Sequence, residues 1–284
     1  MTRLTKAKLF IDGGDPKETA AARRMLGDAG YAPPDGQTTN PSLVAKNPDI
    51  AGQIAAGNKL AKDELLKKYR EIVQGIEQSA PGEISIEVYA DKDTKAEEMV
   101  AQAREMNSWI TSAVIKLPIT EQGLRAAEQL KGEMRLNLTL CFSQEQAAAV
   151  YAATVGAKYS VFVSPFVGRL DDAGLDGIQH VRNVLHMFAE GDGHVEVLAA
   201  SFRRQESFLE AIRLGTQAVT INFKLFGPWG KQGFPLEASY ASGGNDIPYQ
   251  EIDLFADWKS FNIQHDLTDT GLARFAADWN ALLK

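Results

Sequence analysis

The segment Ala113-Val114-Ile115-Lys116-Leu117-Pro118-Ile119 sets a lysine inside a run of apolar residues. A strand covered on both faces gives an ammonium group no inexpensive position. At the edge of an open sheet its head could snorkel to water, whereas a closed barrel has no free edge. Desolvation among apolar neighbours makes an ammonium release its proton more easily. The free amine that results is the nucleophile required for Schiff-base chemistry on a ketone. Glu87 poses the matching problem, because a carboxylate inside Ile84-Ser85-Ile86-Glu87-Val88-Tyr89 needs a partner.

Other polar residues fall where they could surround such a lysine. Asp12 ends one apolar run and Asn40 another; Asn137 and Thr139 are two apart, hence on one side of a strand, and Ser164 lies in a later run. Each has an ordinary structural reading: Asp12 as a cap, Asn40 as an Asx-turn before Pro41, Thr139 as a good β-former. Arg169 follows Ser164-Pro165-Phe166-Val167-Gly168, and Ser201-Phe202-Arg203-Arg204 opens a helix. Arginines at a helix N-terminus oppose its dipole unless an anion occupies the spot, which suggests a phosphate. The alternative is that Arg169 pairs with Asp171 or Asp172 and that Arg203 or Arg204 is a solvated charge. The four histidines lack metal-ligand spacing, and Cys141, in an apolar run, reads as an inert core thiol.

The elements that must position these residues alternate regularly. Strands are expected at 8–12, 36–40, 84–89, 113–119, 135–142, 159–167, 195–202 and 218–223, with helical sequence between them. Pro41 suits a first helical position, and two helices are expected from there to about residue 78; Thr120 and Ser143 read as N-caps. Strands separated by helices imply right-handed parallel crossovers, and eight of them suggest an α/β (β/α)8 TIM barrel with the lysine on its fourth strand. An open doubly wound sheet is the rival, but Gly13-Gly14 lacks the spacing of a dinucleotide loop. The expectation is a single barrel domain over 1–284, with an irregular segment at about 224–248 that suggests a lid, a subunit contact or a surface insertion. A C-terminal helix at about 269–283 should bury Leu272, Phe275, Trp279 and Leu282 on one face.

Composition narrows the partners. The net charge of −7, with basic residues scattered, argues against nucleic acid or an anionic membrane as the main partner. One cysteine excludes an intramolecular disulfide, and the first residues lack the apolar run of a signal peptide, so the expectation is a cytoplasmic protein.

Taken together, Phe10-Ile11-Asp12, Thr38-Thr39-Asn40-Pro41-Ser42, Val114-Ile115-Lys116-Leu117-Pro118, Asn137-Leu138-Thr139-Leu140, Ser164-Pro165-Phe166-Val167-Gly168-Arg169 and Ala200-Ser201-Phe202-Arg203 resemble the transaldolase family. The resemblance covers about residues 8–223. It implies a barrel with its lysine on strand four and transfer of a dihydroxyacetone unit between sugar phosphates, with no metal or organic cofactor. By the same resemblance Lys116 is the Schiff-base nucleophile, Asp12 the acid/base at the donor's C4 hydroxyl, and Glu87 with Thr139 the holder of a proton-shuttling water. Asn40, Asn137 and Ser164 would bind the three-carbon fragment, and Arg169, Ser201 and Arg203 the phosphate. Related aldolases that release free dihydroxyacetone from fructose 6-phosphate usually carry a tyrosine where Phe166 stands, so Phe166 and Glu87 look transaldolase-like. Residues 16–36 and 224–266 depart from the family, and its tail often shapes subunit contacts, which leaves a homo-oligomer open.

Overall fold

The computed structural model describes residues 1–80, 82–237 and 239–284. Strands β1 (Lys8–Asp12), β2 (Gly36–Thr38), β3 (Glu83–Glu87), β4 (Ala113–Pro118), β5 (Arg135–Cys141), β6 (Val161–Pro165), β7 (Val195–Ala199) and β8 (Ala218–Asn222) are all parallel and close into one barrel in chain order. The expected (β/α)8 architecture is therefore the observed one. Between the strands run α1 (Pro16–Asp28), α2 (Pro41–Ala45), α3 (Pro48–Ala55), α4 (Lys62–Ser79), α5 (Ala96–Asn107), α6 (Glu121–Leu130), α7 (Gln144–Ala153), α8 (Val167–Asp172), α9 (Gly177–Phe188) and α10 (Gln205–Leu214). After β8 come α11 (Phe223–Lys231) and α12 (Asp266–Asn280).

Local chemistry sets the strand-to-helix joints. Asn40 caps α2 by accepting the Leu43 N–H at 2.9 Å, and Pro41 follows at the first helical position. Thr120 accepts the Gly123 N–H at 3.0 Å at the start of α6, and Ser143 accepts the Gln146 N–H at 3.1 Å at the start of α7. These caps satisfy donors that a helix start leaves open, directly above the barrel's C-terminal rim. Gly14 is a packing glycine: a Cβ there would meet the Leu43 carbonyl at 2.4 Å, so any other residue would push α2 off the first strand.

Two features differ from the sequence expectation. Three helices, not two, occupy residues 41–79, because Asn47 caps a separate α3 with Pro48 at its start. Helix α11 fills the beginning of the segment expected to be irregular, despite Gly227, Pro228 and Gly230. Its apolar face accounts for it: Phe226 and Trp229 are fully buried and Trp229 packs edge-on against Phe208 and Phe234, outweighing poor propensity. Residues beyond it run outside the barrel, with Tyr240 bonded to Asp176 at 2.8 Å, the Ile247 carbonyl to Asn183 at 2.8 Å and Gln250 to Gln144. None of the described ones lines the cavity at the mouth, and they pack across α7 and α9.

The mouth is crossed instead by α12. Leu272, Phe275, Trp279 and Leu282 are buried as the sequence pattern requires. Each such burial stabilises by roughly 1.5–3 kcal/mol. Thr268 donates to the Leu140 carbonyl at 3.0 Å, and Ser42 donates to Asp278, which ties α12 to β5 at one end and to α2 at the other. At Gly271 a Cβ would lie 2.4 Å from the Arg169 guanidinium and 2.7 Å from Leu140, so the glycine lets α12 settle onto the rim.

Candidate active site

Parallel strands deliver alternate side chains to the barrel interior, and the C-terminal strand ends bring Asp12, Thr38, Glu87, Lys116, Asn137, Thr139, Ser164 and Thr220 toward one another. A cavity of about 270 Å³ opens above them. Asp12, Asn40, Lys116, Ser164, Phe166, Arg169, Ser201 and Arg203 line it, whereas Glu87, Asn137 and Thr139 stand behind that lining.

Lys116 and Glu87 are register partners on β4 and β3, with Nζ 3.0 Å from Oε2 and side chains only 4% and 3% exposed. Among the described residues Glu87 Oε2 has no partner besides Lys116, and Thr139 Oγ1, which is also buried, has none. Burial raises the proton affinity of Glu87, and the Lys116 charge opposes it. Lys116 Nζ also reaches the Thr39 carbonyl at 3.4 Å and lies 5.8 Å from the centre of the Phe166 ring.

Asp12 sits half-buried at the cavity floor. Its carboxylate accepts the Thr38 hydroxyl at 2.7 Å, and Thr38 in turn meets Thr220 at 2.7 Å. Burial is the largest influence and raises its proton affinity; the Lys116 charge, the Thr38 hydrogen bond and the Lys46 charge pull the other way. A carboxyl poised in this manner can both take and return a proton. Asn137 donates to Ser85 at 3.1 Å and accepts from Ser164 at 2.7 Å, which fixes its amide beside Lys116.

The far wall is basic. Arg169 stacks between the rings of Phe166 and Phe275, 5.4 and 5.5 Å from their centres, and pairs with no carboxylate among the described residues. Arg203 donates to Asp172 at 2.9 Å and to Ser201 Oγ at 3.3 Å. The pairing expected as the alternative for Arg169 is not made among the described residues, and Arg203, whose alternative was a solvated charge, takes Asp172 instead. Arg204 points elsewhere, over Tyr240. Ser201 adopts a left-handed φ of 62°, a strained conformation for a residue with a Cβ, where it lines the cavity and its Oγ accepts from Arg203.

Lys46 and Arg274 also line the cavity and were not among the residues singled out in the sequence. Lys46 ends a short helix and Arg274 belongs to α12, far along the chain, so neither has a motif that could have marked it. Burial and the nearby Arg274 and Arg203 charges make Arg169 a weaker base than an isolated guanidinium. Crowding of like charges around a cavity is relieved by an anion.

Cys141 lies outside the site. Burial pushes its thiol up to about 12, and its nearest polar neighbours are the Ser143 carbonyl and the buried His180. No group of three or more His, Cys, Asp or Glu among the described residues is arranged to hold a metal ion. No helix among the described residues is long and apolar enough to cross a membrane.

Comparison with known proteins joins this geometry to a family. The family model described as Transaldolase/Fructose-6-phosphate aldolase matches residues 9–284. A probable transaldolase of Anaeromyxobacter sp. is 35% identical over 278 residues, covering 98% of this chain and 99% of the relative. One from Moorella thermoacetica is 34% identical over 273 residues, covering 96% and 97%. Another from Lactiplantibacillus plantarum is 35% identical over 248 residues, covering 87% of each. With a barrel closed in chain order and a buried lysine on its fourth strand, this chain belongs to the transaldolase/fructose-6-phosphate aldolase family.

Proposed function

We propose that this protein transfers a dihydroxyacetone unit from a ketose phosphate, fructose 6-phosphate or sedoheptulose 7-phosphate, to an aldose phosphate through a Schiff base on Lys116. The observation that carries the proposal is the Lys116–Glu87 pair, 3.0 Å apart and buried, opening on a cavity whose opposite wall carries Arg169, Arg203 and Arg274. That layout suits a substrate with a ketone at one end and a phosphate at the other.

Glu87 takes the ammonium proton, and the free Lys116 amine adds to the donor's C2 carbonyl. The carbinolamine then loses its hydroxyl as water, with the proton returned through Glu87 and a water held by Glu87 and by Thr139 Oγ1, which has no partner among the described residues. Asp12 removes the proton of the C4 hydroxyl. The C3–C4 bond breaks, its electron pair passes into the iminium, and an aldose phosphate leaves while an enamine remains on Lys116. The acceptor aldehyde is attacked by that enamine, its oxygen is protonated by Asp12, and hydrolysis of the new iminium frees the ketose product. Asn40, Asn137 and Ser164 hold the three-carbon unit; Arg169, Ser201 and Arg203 hold the phosphate, with Arg274 completing the basic rim.

Phe166 favours transfer over release. Its ring covers the Lys116 amine and brings no hydroxyl that could hold a protonating water at the enamine. The decisive measurement is product analysis with fructose 6-phosphate, with and without erythrose 4-phosphate. Sedoheptulose 7-phosphate should form only with the acceptor present. Comparable release of free dihydroxyacetone without it would replace the transfer reading by an aldolase.

A further inference from the structure

Strand β2 leaves the sheet after Thr38, whereas β3 continues from its partner Ser85 to Glu87. Along a parallel strand alternate backbone groups face the same neighbour. Ser85 faces β2, since its carbonyl accepts the Thr39 N–H at 2.9 Å; Val88 faces β4, since its N–H reaches the Lys116 carbonyl at 3.2 Å. The Glu87 N–H is therefore directed at the place where β2 backbone has run out. Left unpaired there, a buried N–H would keep the cost of its lost hydration with nothing to offset it.

Tyr69 occupies that place. Its ring comes from α4, behind the barrel wall, and its Oη accepts the Glu87 N–H at 3.0 Å. The phenol proton has one acceptor, Thr39 Oγ1 at 2.6 Å, because the Thr39 hydroxyl itself donates to the Ser85 carbonyl at 2.8 Å. The chain thus has one direction: Glu87 N–H to Tyr69, Tyr69 O–H to Thr39, Thr39 O–H to Ser85. Both residues that touch the lysine amine hang on it, Glu87 through its carboxylate and Thr39 through its carbonyl at 3.4 Å. Tyr69 itself is fully buried and lines no part of the cavity.

We infer that Tyr69 is a positioning residue that sets the Lys116–Glu87 pair by bracing the ends of β2 and β3. The inference rests on Lys116 being the Schiff-base amine. The ring is held independently of its hydroxyl, edge-on to Trp109 at 5.6 Å and tilted against Trp279 at 6.0 Å. Tyr69→Phe should therefore keep the packing and lose only the brace.

The test is the rate of borohydride trapping on fructose 6-phosphate, measured across pH with the adduct mapped by peptide mass. In Tyr69→Phe the trapping rate should fall about ten- to a hundred-fold, the scale of a misplacement on the order of 1 Å. Its pH profile should shift and KM should stay within about two-fold, since positioning acts on the step and not on binding. Thr39→Val should behave in the same way and Thr39→Ser should retain the wild-type rate; the Thr39 pair decides the matter if Tyr69→Phe does not fold. Wild-type rate and pH profile in both Tyr69→Phe and Thr39→Val, with only the melting temperature lowered, would overturn the inference alone. Failure to trap any adduct on Lys116 in the wild type would overturn the Schiff-base reading and this inference together.

Discussion

Two lysines point into this barrel beside carboxylates, one at each end, and they differ in what surrounds them. Lys8, at the N-terminal end of the strands, pairs with Glu83 at 3.0 Å and Glu196 at 3.4 Å, with a third of its side chain exposed. Burial lowers its proton affinity, but the hydrogen bond and field of Glu83, joined by Glu196, outweigh that and leave it a stronger base than usual. Lys116, near the C-terminal end, has almost no solvent: it lies 3.0 Å from Glu87 and within the field of Asp12, and the buried Thr139 hydroxyl nearby has no partner among the described residues. The same residue types form a partly exposed ion-pair cluster at one end and, under the proposed function, the reactive pair at the other. Burial makes the difference, since each lysine has two carboxylates in its field.

That contrast can be broken most directly at Lys116. Lys116→Ala should remove covalent trapping and reduce turnover by on the order of 10⁴–10⁶-fold, the scale seen when a covalent nucleophile is deleted. Labelling at Lys8 or any other lysine in the wild type would undo the distinction drawn between the two ends.

Asp12→Asn should be next in size. Turnover should fall by about 10²–10⁴-fold while borohydride still traps the initial Schiff base, because the proposed mechanism uses Asp12 for cleavage and not for imine formation. Stability should move the other way. The folded chain raises the Asp12 proton affinity, so folding is favoured at pH below the ordinary aspartate value of 3.8 and that advantage is lost as pH rises through the folded value. At neutral pH the charged group costs stability, and calorimetry should find the asparagine variant melting higher than wild type. A lower melting temperature would mean that Asp12 is chiefly structural.

The arginines should give an intermediate effect that depends on the substrate. A charge-assisted hydrogen bond contributes roughly 1.5–3 kcal/mol. Arg169→Ala or Arg203→Ala should thus weaken kcat/KM for sugar phosphates about ten- to a hundred-fold, while unphosphorylated dihydroxyacetone as donor changes little. Equal losses with both donors would turn these residues into supports of the barrel rim.

Lys8→Met should have the smallest effect: activity near wild type and about 1 kcal/mol or less of stability, as for other partly exposed ion pairs. With its proton affinity raised on folding, Lys8 contributes fully below the ordinary lysine value of 10.5, and the contribution fades only as pH climbs through the folded value. Chemical denaturation at pH 7 and near pH 11 should show the difference between wild type and Lys8→Met shrinking at the higher pH.

Much of this site was legible in the chain before any coordinates, because its chemistry is written into local pattern. An apolar run must hide Lys116 and Glu87 together with their charges, and Asn40-Pro41, Thr120 and Ser143 announce helix starts through side chains that cap backbone donors. The alternation of strand and helix, with right-handed crossovers, then leaves few ways to arrange eight parallel strands. Helix α11 escaped that reading because Gly and Pro mask a helix whose stability comes from buried Phe226 and Trp229.

What only the tertiary structure decided are the relations between distant parts. Arg274 reaches the cavity because α12 folds back across the mouth, a placement that depends on Gly271 yielding space to Arg169. Tyr69 meets the Glu87 N–H because β2 stops short of it. Arg203 takes Asp172 as partner and leaves Arg169 without a carboxylate among the described residues. The physical reason is the same in each case: pattern and capping act within a few residues, whereas burial, ion pairing and hydrogen-bond satisfaction are settled between segments that meet only once the barrel has closed.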